Sequence, residues 1–91
     1  TISNGYFRVV LAESHSDEIF YGFILPKKYL KLAVNRNYLR RYFKEVLRNI
    51  NSAKGFKIIF MIKSNVNPFL KVEAKKIIEE LKTKIELSLK N

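Results

Sequence analysis

Four basic side chains recur at every fourth position in the middle of the chain, at Arg36, Arg40, Lys44 and Arg48. In an α-helix this spacing places side chains on one face, so the segment predicts a helix with a continuous basic stripe. The guanidinium group of arginine is a planar fork of donors that suits phosphate. The stripe therefore predicts a surface that binds a polyanion, and nucleic acid is the leading candidate.

The positive charge of the chain is concentrated around this stripe. The 91 residues include 18 Lys and Arg against 8 Asp and Glu, which gives a net charge of +10. Residues 27–48 hold eight basic residues and a single acidic one, Glu45, whereas residues 1–26 carry more acidic than basic side chains. A solvated helix face more often mixes both signs, so this local excess favours binding to a polyanion.

Side chains that could catalyse a reaction or hold a metal ion are few and scattered. The chain has no cysteine, which excludes thiolate nucleophiles, disulfides and cysteine metal sites. The single histidine, His15, lies in an acidic turn without a nucleophile beside it. The neighbouring acids Asp17 and Glu18, and likewise Glu79 and Glu80, are typical of solvated charge. The sequence therefore predicts no catalytic residue and no metal site in the protein itself.

Apolar periodicity predicts the elements that would position the basic stripe. They are strands at 6–12 and 19–25, a helix at 34–49, a strand at 56–63 and a C-terminal helix that follows an N-cap and proline at 67–68. This β-β-α-β-α order predicts one α+β domain over the 91 residues, a small central sheet with both helices packed on it.

Two further expectations concern the sheet and the membrane. The connection between the first two predicted strands has only about six residues, which favours a β-hairpin. The second strand, 19–25, is apolar on both faces and is expected at the centre of the sheet. The longest apolar runs are too short to span a bilayer, so no membrane association is expected.

Two segments resemble the signature of the bacterial ribonuclease P protein component. Residues 21–28 read Tyr-Gly-Phe-Ile-Leu-Pro-Lys-Lys, and residues 33–41 read Ala-Val-Asn-Arg-Asn-Tyr-Leu-Arg-Arg. The family typically reads Phe-Gly-x-x-Val-Ser-Lys-Lys and then Ala-Val-x-Arg-Asn-Arg-x-Lys-Arg on a helix. Tyr38 departs from this pattern at the third position of the Arg-Asn-Arg triplet, and the loop 29–32 lacks the family glycine. The family's N-terminal helix also has no counterpart in this sequence.

The resemblance implies a protein subunit of ribonuclease P. In that family the RNA subunit, with Mg²⁺ bound mainly by the RNA, cleaves precursor tRNA to form the mature 5′ end. The protein binds the catalytic RNA and the 5′ leader, and the fold includes a left-handed β-α-β crossover, against the usual right-handed rule. We further expect a cytoplasmic protein that is monomeric when it is not bound to RNA.

Two groups of residues are expected to contact RNA. The residues of the basic helix and of the loop before it are expected to bind the catalytic RNA: Lys27, Lys28, Lys31, Arg36, Asn37, Arg40, Arg41, Lys44 and Arg48. A second group is expected to line a cleft for the single-stranded leader: Arg8, Val10 and Tyr38. An aromatic ring such as that of Tyr38 can stack on a base, although packing at the start of the helix is an alternative role.

Three other functions share part of this pattern. A structural RNA-binding module, such as a small ribosomal or ribosome-associated protein, would share the charge and the α+β build but not the order of the lysine and arginine motifs. A DNA-binding protein could place the basic helix in a major groove, but no helix-turn-helix partner precedes it. A self-contained nuclease would need the catalytic constellation that the sequence lacks.

Overall fold

A computed structural model describes residues 1–50, 53–66 and 68–89 of the chain. Its elements, in chain order, are β1 (Ile2–Asn4), β2 (Phe7–Glu13), β3 (Phe20–Ile24), α1 (Ala33–Leu47), β4 (Phe56–Ile62) and α2 (Lys71–Leu89). They form one four-stranded sheet and two helices, which confirms the predicted α+β class. The strand β1 was not predicted, because three residues are too few to show an alternating pattern.

The strand order is β1-β2-β4-β3, with β4 antiparallel to β2 and parallel to β3. The predicted hairpin between β2 and β3 is therefore wrong, since β4 lies between these two strands. Their connection passes the start of β4, where the Ser14 amide donates to the Gly55 carbonyl over 2.7 Å and the Gly55 amide donates to the Glu18 carbonyl over 3.1 Å. A short connection thus reaches across one strand, because neighbouring strands lie only about 4.8 Å apart.

The edge position of β3 corrects the expectation that this strand is central. Its outward side chains Phe20 and Ile24 remain 43% and 51% exposed, so their apolar character did not indicate burial. The two central strands are β2 and β4, and each pairs along both of its edges. The hand of the β3-α1-β4 crossover stays a prediction.

The core lies on one face of the sheet, beneath both helices. Phe43 of α1 is fully buried, and its ring stacks on Phe60 of β4 with 4.3 Å between ring centroids. The ring of Phe23 meets the Phe43 ring edge-on, with 6.0 Å between centroids, and the ring of Phe7 lies 4.8 Å from that of Phe60. This aromatic cluster seats α1 on β3 and β4.

Helix α2 packs beside α1 and over β1. Its buried side chains recur at helical spacing: Ala74, Ile78, Leu81 and Ile85. The Asn4 side-chain amide donates to the Ile77 carbonyl over 3.2 Å. Gly5 has a φ of +57°, and a Cβ atom there would lie 3.0 Å from the Ile77 side chain, so this turn requires glycine.

The start of α2 differs from the prediction. The helix begins at Lys71, and Pro68 lies in the preceding loop instead of at the first helical position. The predicted N-cap, Asn67, lies outside the described residues. Neither described helix is long and apolar enough to cross a membrane.

The opposite side of the sheet, here called the open face, is covered by neither helix. A row of paired residues at its centre runs Val10, Ile59 and Gly22, and a Cβ atom at Gly22 would lie 3.4 Å from the Ile59 side chain, which the glycine leaves uncovered on that side. Arg8 and Met61 form the neighbouring row on one side. This face combines an apolar centre with the exposed basic side chain of Arg8.

Candidate nucleic-acid interface

The basic face of α1 lies above the edge of the sheet. Leu39, Phe43 and Leu47 form the buried stripe of this helix, and the basic side chains project on the side next to β3. The Lys44 ammonium lies 5.9 Å from the ring centre of Tyr21 and 5.7 Å from that of Phe23. These cation–π contacts hold one positive charge of the stripe at the β3 edge.

Arg36 joins the basic helix to the loop that precedes it. Its Nη1 donates to the Leu30 carbonyl over 2.7 Å and to the Lys31 carbonyl over 2.8 Å. The helix begins without a side-chain cap at Leu32 and without an acidic residue in its first turn. The guanidinium has five N–H donors, so Arg36 can order this loop and still offer donors to a ligand.

Two other side chains of the predicted set are ordered by each other. Arg40 Nη1 donates to Asn37 Oδ1 over 2.7 Å, which fixes both groups on the helix surface. Arg41 is exposed beside them. Arg48 lies 3.8 Å from the Glu45 carboxylate, with both side chains about 70% exposed, and such exposed pairs stabilise a fold little.

The basic loop and helix have little acidic compensation. Within the described ranges, the ion pair between Arg48 and Glu45 is the only one shorter than 4.0 Å. The lysines of the loop are exposed, and the ammonium of Lys28 lies 5.0 Å from the ring centre of Tyr29. Positive charge on residues 27–44 therefore remains available to an anion.

The residues predicted for a leader cleft lie on two different layers of the protein. Arg8 and Val10 share the open face. Tyr38 lies on the other side of the sheet, where its ring stacks on Tyr42 with 6.0 Å between centroids and 5° between planes. The structure does not bring Tyr38 together with the other two, because helical periodicity directs it towards α2.

An aromatic seam between the two helices explains the position of Tyr38. Its ring meets Phe69 edge-on at 6.2 Å, and the Lys71 ammonium lies 4.9 Å from the ring centre. The Tyr42 hydroxyl donates to Glu79 Oε1 over 2.8 Å. The four-residue spacing of the two tyrosines was the sequence signal for this seam. The geometry gives Tyr38 the packing role.

The pKa of Tyr42 is raised from about 10 to about 12, first by burial and then by the hydrogen bond to Glu79. Because the folded pKa is the higher one, this contribution to stability is complete below pH 10 and is lost as the pH rises towards 12. We expect Tyr42→Phe to remove this late phenolate ionisation from a spectrophotometric titration.

The control for this titration is Glu79→Gln, which removes the carboxylate and retains a similar side chain. It should lower the pKa of Tyr42 only in part, since burial is the larger cause of the shift. An unchanged late ionisation in Tyr42→Phe would contradict the assignment.

One basic side chain on the open face, Lys57, was not predicted as a site residue. Lys57 of β4 lies directly across from Phe20 of β3 and next to Ala12 of β2. The alternation of buried Ile58 and Phe60 in β4 was the signal that places Lys57 outward. An exposed aromatic ring beside an ammonium group is a combination suited to a stacked nucleotide base and its phosphate.

The acidic and histidine side chains form no comparable cluster. In the part of the chain that the structure describes, no group of three or more His, Cys, Asp or Glu side chains is placed to hold a metal ion. His15 is exposed in the connection between β2 and β3.

The sequence matches the family model described as Ribonuclease P over residues 1–86. A search of curated proteins finds no match. The match to the family model confirms the resemblance to ribonuclease P proteins that residues 21–28 and 33–41 indicated.

Solved structures show the same fold. The RNase P protein of Staphylococcus aureus aligns with a TM-score of 0.71 and 22% identity, over 92% of this chain and 77% of that chain. The Thermotoga maritima RNase P protein aligns with a TM-score of 0.62 and 24% identity, over 98% of this chain and 79% of that chain. The same protein in complex with 1-(4-fluorophenyl)-2-thiourea aligns with a TM-score of 0.61 and 23% identity, over 99% of this chain and 82% of that chain. With the family match over most of its length, this chain belongs to the ribonuclease P protein family.

Proposed function

We propose that this chain binds the catalytic RNA of ribonuclease P through the basic face of α1 and the loop before it, and binds the 5′ leader of precursor tRNA on the open face of the sheet. The observation that carries the proposal is the basic face itself, which is seated by the aromatic core and joined to the loop by Arg36. The proposal makes the protein a subunit that assists tRNA 5′-end maturation.

The contacts with the catalytic RNA are proposed to be mostly phosphate contacts. Arg40 and Arg41 present guanidinium groups on the helix surface, and Lys27, Lys28 and Lys31 extend the positive charge along the loop. Lysine and arginine contacts to phosphate release counterions, so affinity is expected to fall steeply as the salt concentration rises.

The leader is proposed to lie across the open face. Val10, Ile59 and Gly22 form a shallow floor, and Arg8 supplies a positive charge at its rim. Phe20, rather than Tyr38, is proposed as the stacking platform, because it lies on the same sheet face as Arg8 and its ring is partly exposed. Stacking of a base on an aromatic ring contributes roughly 1–3 kcal/mol.

The chemical step is proposed to belong to the RNA partner. Hydrolysis needs an activated water, and the proposal assigns the Mg²⁺ ions that supply it mainly to the RNA. The protein is proposed to act in the cytoplasm and to be monomeric when it is not bound to RNA. Its own contribution is to hold the substrate leader and the catalytic RNA together.

Reconstitution with the catalytic RNA tests this function. Precursor tRNA with a leader of several nucleotides should bind the holoenzyme more tightly than precursor with a leader of one nucleotide. We expect Arg8→Ala and Phe20→Ala each to reduce this gain by about threefold to tenfold, because each removes one phosphate contact or one stacking contact. Equilibrium binding of labelled precursor measures the gain.

Lys76→Ala provides the matched control, since this exposed lysine lies on α2, away from both proposed RNA surfaces. It should leave the leader effect unchanged. Protein without the RNA subunit should not cleave the precursor. Equal affinity for both leaders would overturn the leader assignment, and enrichment of ribosomal RNA instead of the catalytic RNA in a cellular pull-down would overturn the proposed function.

A further inference from the structure

A groove of about 440 Å³ opens at the end of the sheet where the parallel strands β3 and β4 finish. One wall is the loop after β3, residues 28–32, and the other is formed by residues 65, 66, 68 and 69 after β4. Clefts that hold small ligands typically measure about 300–1,000 Å³. The groove is therefore large enough for one nucleotide.

Hydrogen bonds to main-chain carbonyls hold the walls of this groove in place. The Val66 amide donates to the Tyr29 carbonyl over 3.0 Å and so joins the two loops. The amides of Tyr29 and Leu30 both donate to the Pro26 carbonyl, and Arg36 donates to the carbonyl of Leu30. A binding site with fixed walls loses little conformational entropy when it takes a ligand.

Besides four aliphatic residues, the lining of the groove includes three kinds of residue that suit a nucleotide. Two are lysines, two are aromatic rings and two are carboxamides: Lys28, Lys31, Tyr29, Phe69, Asn35 and Asn65. No acidic side chain lines the groove among the described residues. Ammonium groups attract phosphate, aromatic rings pack against the flat surface of a base, and carboxamides both donate to and accept from its edge.

We propose that this groove takes one unpaired nucleotide of the catalytic RNA, splayed out of its stack. The lysines meet its phosphate, Phe69 packs against the base, and Asn65 reads the base edge. Sequence-specific recognition of RNA commonly uses such unstacked nucleotides. The inference rests on the proposed function, and it adds a site for a base to a surface assigned so far only to phosphates.

The position of the groove favours the catalytic RNA over the leader as its occupant. Arg36 donates to the carbonyls of Leu30 and Lys31, and both of these residues line the groove. The groove and the basic face of α1 therefore share one rigid frame. The leader residues Arg8 and Val10 lie instead on the open face, away from the layer that holds α1.

The first test is an NMR titration of the full chain with 5′-mononucleotides, with inorganic phosphate as the comparison. We expect saturable shifts of the side-chain amides of Asn35 and Asn65 at about millimolar nucleotide concentrations. Asn65→Ala should weaken nucleotide binding severalfold. Asn49→Ala, at an exposed asparagine outside the groove, should leave it unchanged. Shifts that are equal for phosphate and nucleotides, or that are confined to the basic face of α1, would overturn the proposal.

The second test measures affinity for the catalytic RNA at several salt concentrations. Asn65→Ala should lower the affinity by about threefold to tenfold without changing the salt dependence, because an uncharged contact releases no counterions. Lys31→Ala should lower both the affinity and its dependence on salt. If the parent chain binds tightly and Asn65→Ala leaves the affinity unchanged, the proposed nucleotide site in the groove is overturned and the proposed function stays intact.

The leader provides the remaining comparison. In the reconstituted holoenzyme Asn65→Ala should keep the full gain in affinity from a long leader. A variant that binds the catalytic RNA normally but loses the leader gain would identify the leader as the occupant and contradict the proposal. If the parent chain does not bind the catalytic RNA at all, the proposed function fails, and the mononucleotide titration still tests the groove.

Discussion

Replacing Arg40 and Arg41 together with alanine should lower the affinity of the chain for the catalytic RNA by at least about tenfold and make binding less dependent on salt. Each phosphate contact that is lost should reduce the slope of log affinity against log salt by roughly 0.7–0.9. Arg41 is exposed, and the side-chain hydrogen bond of Arg40 is made within the same helix, to Asn37. The fold should therefore survive the substitution.

A double variant of equal charge change serves as the control for this prediction. Lys54→Ala with Lys76→Ala removes two exposed positive charges outside α1. This variant should lose much less affinity, because neither lysine belongs to α1 or to the loop before it, and exposed charges are screened over about 10 Å at 0.1 M salt. Circular dichroism should be unchanged in both variants. The same loss in both would show that only net charge matters, and it would contradict the assignment to α1.

Phe43→Ala should reduce the free energy of unfolding by about 3–5 kcal/mol, which is the usual cost of removing a fully buried phenylalanine ring. The Phe43 ring is 0% exposed and contacts the rings of Phe60, Phe23 and Tyr21 at centroid distances of 4.3, 6.0 and 6.4 Å. The free energy of unfolding of a small domain is about 5–15 kcal/mol, so this loss is a large part of the total. Urea unfolding measures it.

The matched control is Phe20→Ala, which removes the same ring from an exposed position at the sheet edge. It should cost less than about 1 kcal/mol, because the ring of Phe20 is already partly hydrated. Phe43→Ala should also weaken RNA binding, since this ring seats the basic helix on the sheet. Equal destabilisation by the two substitutions would contradict the central place of Phe43 in the core.

Local patterns predicted α1 and its basic stripe, and the bounds agree to within about two residues. Helical hydrogen bonds join residues four apart, so both the helix and the face of each side chain follow from nearby sequence. The alternation in β2 likewise separated the buried Phe7 and Val9 from Arg8 and Val10 on the other face. The family, too, could be identified from the residues of the loop and helix, because its motif lies within a short stretch of chain.

Strand pairing could not be read in the same way. The backbone donors and acceptors of every strand are alike, so a hydrogen-bonded ladder does not by itself specify its partner. The choice depends on which side chains pack together on both faces, and β4 pairs with residues of two strands that precede their partners by 37 to 55 positions. The short connection between β2 and β3 pointed to the wrong partner for this reason.

The sequence by itself determined the charge, the basic stripe, the α+β class and the resemblance to ribonuclease P proteins, since each depends on composition or on residues within a few positions. Only the tertiary structure decided that Arg8 shares a surface with Lys57 and Phe20, that Tyr38 packs against Phe69, and that two loops enclose a groove. These relations join residues far apart in the chain. They are set by the packing of a common core, which no local pattern contains.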